Sequence, residues 1–199
     1  MELEKNLSNI ITKKQAYKTS FLEITSQFER KFEEFNPVQN CFEIEKYFGG
    51  KCGISKVTNK LIQDGIIKKN WLRQYKTKGG KIKTDFKGLY IYIHQNTPIY
   101  VGISKGVIGR TLQHLKGHSH NTSTLAFNIG LIRYEIEKGE KYIGKRKQFD
   151  FKLDVTPAKE FLLKQRIAFI PIENDEEMYL FEIYCAMKLQ CYLNKFETH

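Results

Sequence analysis

Two tyrosines, an arginine, a histidine and a glutamate stand where their chemistry would be concentrated rather than merely solvated. Tyr90 and Tyr92 share one face of an alternating segment, and Tyr100, Gly102 and Ser104 share one face of the next. A hairpin brings the phenols to a common surface, with Gly102 leaving room for a ligand to approach the backbone. The plainer reading is a tyrosine-rich sheet over a core. Arg110 and His114 are four residues apart, so they stack on one helix face at the border of its apolar stripe. A guanidinium there can hold a phosphate oxygen and an imidazole can exchange a proton at neutral pH; the plainer reading is two solvated residues. Glu182 shares a helix face with Met178, Cys185, Ala186 and Leu189. A carboxylate on such a face is costly unless paired, hydrogen-bonded or bound to metal. Its plainer reading is an ion pair with a buried arginine. Asn194, twelve residues on, reads by itself as a helix C-cap or turn residue.

Elements must position these side chains. Lys87–His94 alternates and is rich in Tyr and Ile, Gln95-Asn96-Thr97 is a turn, and Pro98–Ser104 is a second strand of the hairpin. Val107, Ile108, Thr111, Leu112 and Leu115 form the stripe of a helix ending at Gly117. A further helix is predicted from about Thr122 to Lys138, stopped by Gly139, then a basic loop over 140–158, a helix over Lys159–Gln165 and a strand over Ile167–Ile172. Asn174 and Glu177 form a capping box for a last helix running to about Tyr192. Upstream, Phe21, Ile24, Phe28, Phe32 and Phe35 share a face of a helix over 1–35, which Asn36-Pro37 stops. Cys41–Tyr47 reads as short and helical. Ser55 caps a helix to Asp64, with Gly65 beyond its end. Ile66-Ile67 begins a strand, and Tyr75–Thr84 turns at Gly79-Gly80. Helix, strand and lysine-rich hairpin predict a winged-helix-like, DNA-binding extension over 1–85.

Composition narrows the function classes. The hydrophobic and charged fractions, 41% and 28%, are those of a folded globular chain. No apolar run reaches the roughly 18 residues a membrane span needs. The charged N-terminus lacks the apolar core of a secretory signal, so a cytoplasmic location is expected. Cys41, Cys52, Cys185 and Cys191 lack the spacing of a zinc or redox motif and read as free thiols. Lys+Arg 33 against Asp+Glu 22 gives a net charge of +11. The excess is concentrated: residues 51–83 carry ten Lys/Arg and one acid, Asp64. Such a block suits a polyanion, with Lys76, Lys78, Lys81 and Lys83 as phosphate contacts. A membrane-surface binder would need one long basic amphipathic helix, which the block is not.

Taken in order, these residues resemble the GIY-YIG nuclease superfamily. Gly88-Leu89-Tyr90 stands for the first motif and Tyr100-Val101-Gly102 for the second; Arg110, His114, Glu182 and Asn194 follow in the family's order. The resemblance covers residues 87–199, with 121–166 as an insertion placed to contact DNA. Ile103 follows Gly102 where some members have a lysine; either Lys105 stands in or the role is absent. The resemblance implies an α+β domain over 86–199, a small antiparallel or mixed sheet flanked by helices. It also implies a phosphodiester hydrolase using one divalent metal, Mg²⁺ or Mn²⁺, held by Glu182 with waters and phosphate. The single well-placed acid agrees with a one-metal site. Arg110 would clamp the scissile phosphate, with water activated by Tyr90 or Tyr100 and His114 as relay or alternative base. Ser104 and Asn194 would add hydrogen bonds.

The expected function is therefore a metal-dependent DNA endonuclease of restriction type, acting on duplex DNA, with a homodimer if its site is symmetric. The alternatives are a homing, repair or structure-selective nuclease and, from another class, an inactive nucleic-acid-binding module.

Overall fold

The computed structural model describes residues 20–76 and 79–194. The fold is α+β. Its centre is a four-stranded antiparallel sheet in the order β1-β6-β4-β5: Phe42–Glu43, Arg166–Pro171, Gly88–His94 and Thr97–Ser104. A separate hairpin pairs β2 (Arg73–Lys76) with β3 (Ile82–Asp85). Among the described residues no helix is long and apolar enough to cross a membrane.

Strand alternation makes two cores. Leu89, Ile91 and Ile93 of β4 face Met178, Phe181 and Cys185 of the last helix, α8 (Asp175–Lys188), and Ile24 and Phe28 of α1 (Phe21–Thr25) and α2 (Phe28–Phe35). Tyr90 and Tyr92 face the opposite core. That core is completed by α3 (Ile44–Phe48), α4 (Ile54–Gln63), α5 (Val107–Lys116), α6 (Thr124–Lys138) and α7 (Thr156–Leu163). Residues on both sides of position 85 fill it: Phe48, Val57, Leu61 and Phe86 lie in the same cluster as Tyr90 and Ile108. Strand β1 also hydrogen-bonds β6, Phe42 opposite Ile167. The described residues before 86 therefore complete the core instead of standing beside it.

Several elements differ from the sequence reading. The first helix, where described, is broken at Ser26-Gln27, and Phe21 is 62% exposed and outside the packed stripe; residues 1–19 lie outside the described part. Gly53, not Ser55, opens α4, while Gly65 follows its end in the left-handed conformation that glycine favours. Ile66-Ile67 form a turn, with Ile67 buried against the core, so no strand begins there. The predicted loop over 140–158 becomes helical partway, with a 3₁₀ turn at Arg146–Gln148 and a π turn at Phe151–Val155 running into α7. Helix α8 stops at Lys188, about a turn early. Asn174 caps it as predicted, accepting from the Glu177 amide at 2.9 Å, but the Glu177 carboxylate pairs with Lys31.

Candidate active site

The register of the central hairpin sets the site. Tyr90 sits opposite Gly102 and Tyr92 opposite Tyr100, so all three phenols share one face. The space over Gly102 belongs to Tyr90: a Cβ there would come within 2.5 Å of the phenol oxygen. The expected room for a ligand is thus filled by the chain's own ring. Gly88 serves the neighbouring strand, since a Cβ would lie 2.1 Å from the Ile170 carbonyl oxygen.

Helix α5 crosses this face with Val107, Ile108, Thr111 and Leu115 buried. Its first residue follows Gly106, which offers no capping side chain. Asp85, at the end of β3, does that work from outside. Its carboxylate accepts from the amides of Phe86 (2.7 Å), Ile108 (3.0 Å) and Gly109 (2.8 Å). Burial pushes its pKa up, and those amides oppose the shift. Asp85 was not singled out from the sequence. The available signal was a helix opening on glycine, which must find its cap elsewhere.

Anchored in this way, α5 presents Arg110 and His114. His114 is wholly buried instead of lying at the stripe's border. Its Nε2 lies 2.9 Å from the Tyr90 hydroxyl. Burial, reinforced by the Arg110 charge, lowers its pKa to about 3, so the imidazole is neutral. Its Nδ1 and the Tyr92 hydroxyl are buried without partners. Arg110 hydrogen-bonds Gln113 Oε1 at 3.2 Å and the Thr122 carbonyl at 3.3 Å. Its charge reaches Tyr90, Tyr92 and Tyr100. The Tyr90 and Tyr100 rings lie 6.1 Å apart. Tyr90 is 1% exposed, and burial raises its pKa well above the usual phenol value. Tyr100 is only partly buried; burial and then Glu182 raise its pKa, while the neighbouring Tyr90 hydroxyl and the Arg110 charge oppose them.

Glu182 comes to the group from α8. It is partly buried, and burial alone raises its pKa to about 7. No salt bridge ties it to a cation of the described residues, so the buried-arginine reading does not hold. An uncompensated carboxylate beside a phenol is a hard-oxygen donor set that fits Mg²⁺ or Mn²⁺. It is one ligand: the described residues contain no group of three or more His, Cys, Asp or Glu side chains placed to share an ion.

Four predicted residues therefore converge, Tyr90, Tyr100, Arg110 and His114, while Glu182 stands on the helix packed against the opposite sheet face and reaches the group only through its charge on Tyr100. Three others are committed elsewhere. Asn194 uses both ends of its amide on Val101, accepting from the backbone N–H and donating to the carbonyl, each at 2.8 Å. Ser104 Oγ donates to the Gly106 carbonyl and accepts from its N–H, both at 3.0 Å. Lys105 is exposed, 3.9 Å from Asp175. Of the hairpin cations, Lys76, Lys81 and Lys83 are exposed, and Lys78 lies outside the described residues. The chain matches no protein-family model, no curated protein and no solved structure.

Proposed function

We propose that the protein is a metal-dependent DNA endonuclease of the GIY-YIG type. The observation that carries this reading is the cluster of Tyr90, Tyr100, His114 and Arg110 on one sheet face, with the charge of an uncompensated carboxylate, Glu182, reaching Tyr100 from the helix on the other face. A buried apolar face does not otherwise collect a guanidinium, a neutral imidazole and three phenols, with an unpaired carboxylate acting on one of them.

Each residue then has a task set by its surroundings. Arg110 binds the scissile phosphate and stabilises the charge that develops on it. Tyr100, the most accessible of the three phenols, orients the attacking water and receives its proton. His114 has no access to solvent, so it acts through Tyr90: as Tyr100 receives the water's proton it passes its own to the Tyr90 oxygen, and Tyr90 passes its proton to the neutral Nε2 of His114. Substrate favours this transfer. The Arg110 charge is one cause of the low His114 pKa, and a bound phosphate offsets that charge, so the imidazole becomes more basic when DNA is in place. Glu182 would hold the divalent ion, which supplies Lewis-acid charge at the phosphate when bound.

The test is Glu182→Gln, which keeps the shape and removes the charge. Plasmid cleavage in Mg²⁺ should fall by at least roughly 10²–10³-fold, the range for losing one electrostatic stabiliser. Metal-free DNA binding should persist, because Arg110 and the basic surface remain. Undiminished cleavage by the variant would overturn the assignment.

A further inference from the structure

A second feature lies next to this site and plays no part in it. Two hollows, about 740 and 860 Å³, run along opposite flanks of the C-terminal half of α5 and meet at Gly53 and Lys116. The first is walled by β2–β3 and the start of α4, the second by Gly50–Lys56 and α7. Lys51, Lys56, Lys83, Lys105, Lys116 and Lys159 line them, with His118, and neither lining contains a carboxylate.

The two innermost lysines are fixed on uncharged acceptors. Lys31, Lys46, Lys87 and Lys188 each pair with a carboxylate. Lys116 instead bonds the Gly50 carbonyl at 2.5 Å and Cys52 Sγ at 2.9 Å, and Lys159 bonds the Gly117 carbonyl. Both are partly buried, and burial lowers the Lys159 pKa. Fixing cations on neutral acceptors leaves their charge uncompensated, a cost that a bound polyanion removes. Gly50 and Gly53 leave open space where a side chain would stand, so a backbone can approach closely. Gln113 lines the first hollow and also holds Arg110 Nη1, which joins the cleft to the candidate active site.

We infer that this cleft is the track for the sugar–phosphate backbone of duplex DNA on one side of the scissile phosphate. Gly109 to Lys116 spans about 10 Å of helix, room for a short run of neighbouring phosphates on one strand. The choice of DNA rests on the nuclease reading; the cleft itself rests on the uncompensated lysines. Lys51 and Lys56 are exposed, so Lys51→Gln/Lys56→Gln should leave the melting temperature unchanged.

The experiment measures binding of the full chain to a random-sequence duplex in EDTA across a salt series. It compares wild type, the cleft variant and Lys138→Gln/Lys164→Gln, which loses equal charge outside the cleft. The cleft variant should bind roughly tenfold more weakly at low salt, with a salt slope flatter by about 2. The control should stay near wild type. Equal behaviour of the two variants overturns the inference, as does a loss seen against poly-glutamate but not the duplex. Wild-type cleavage in Mg²⁺ is scored separately. If cleavage is absent while the cleft variant loses duplex binding, the nuclease reading fails and the cleft stands. If wild type cleaves and the cleft variant binds and cuts like it, the reverse holds.

Discussion

At the residue scale, Glu182 and His114 impose opposite pH slopes on stability. The folded pKa of Glu182, about 7, lies above its ordinary 4.5. The folded state therefore holds the proton longer than the unfolded chain, and stability is lost as pH rises from 4.5 to 7. With partial solvent access discounted, the loss is on the order of 2 kcal/mol. His114 has a folded pKa of about 3 against an ordinary 6.5, so stability is lost as pH falls from 6.5 towards 3. The windows overlap, so chemical denaturation of the metal-free protein should show a stability plateau from about pH 4.5 to 6.5, with a decline on either side. Glu182→Gln should remove the decline on the alkaline side, and His114→Gln should shallow the decline on the acid side. A variant profile parallel to wild type would show that the group titrates alike in both states.

At the element scale, α5 is the part on which the chemistry depends, and its anchor is remote in sequence. Asp85→Ala should destabilise the fold by about 1–2 kcal/mol through lost capping bonds at the helix N-terminus. It should also lower cleavage more than DNA binding, because Arg110 and His114 ride on the freed helix. Equal losses in both would mean that the helix stays in place without its cap. The β2–β3 hairpin is docked over that same helix start: a Cβ on Gly106 would come 2.5 Å from the Tyr75 hydroxyl. Neutralising Lys76, Lys78, Lys81 and Lys83 together should weaken DNA binding and flatten its salt dependence while leaving the fold intact. Wild-type affinity and slope in that variant would mark the block as solvated surface.

These elements also show what could be read from residues alone. The hairpin 88–104, helix α5 and the cap of α8 were legible because each is long enough to display a period or a start signal. The common face of Tyr90, Tyr92 and Tyr100 was legible for the same reason, since period fixes face; that Glu182 stands on the helix of the opposite face was not, because packing between elements leaves no period. Strand β1 was not, because Phe42–Glu43 is two residues and two residues have no period. The Asp85 cap was hidden because it is a contact between elements. The tasks of Gly102 and Asn194 were misread because they depend on strand register, which side-chain type does not encode.

At the scale of the whole molecule, the described chain before residue 86 is structural before it is anything else. A fragment of 87–199 would lose Phe42, Phe48, Val57 and Leu61 from the core and Asp85 from the helix start. Large apolar truncations in a core cost about 2–5 kcal/mol each. The fragment should therefore be unfolded or molten, with poor chemical-shift dispersion in its NMR spectrum. A well-folded fragment that cut with undiminished site preference would show that 1–85 are dispensable for both fold and specificity.

The Asn194 amide has one more consequence. Together with the bond from the Leu193 N–H to the Ile99 carbonyl, it occupies outer hydrogen-bonding groups in the middle of β5. An open strand edge invites a second chain to add on, and at Ile99 and Val101 this edge of the sheet is already stopped. Two copies meeting on a palindromic target would therefore not do so by laying one β5 along another. A dimer built elsewhere on the molecule would have the spacing between its two cuts set by that other surface and not by the repeat of a β5 ladder.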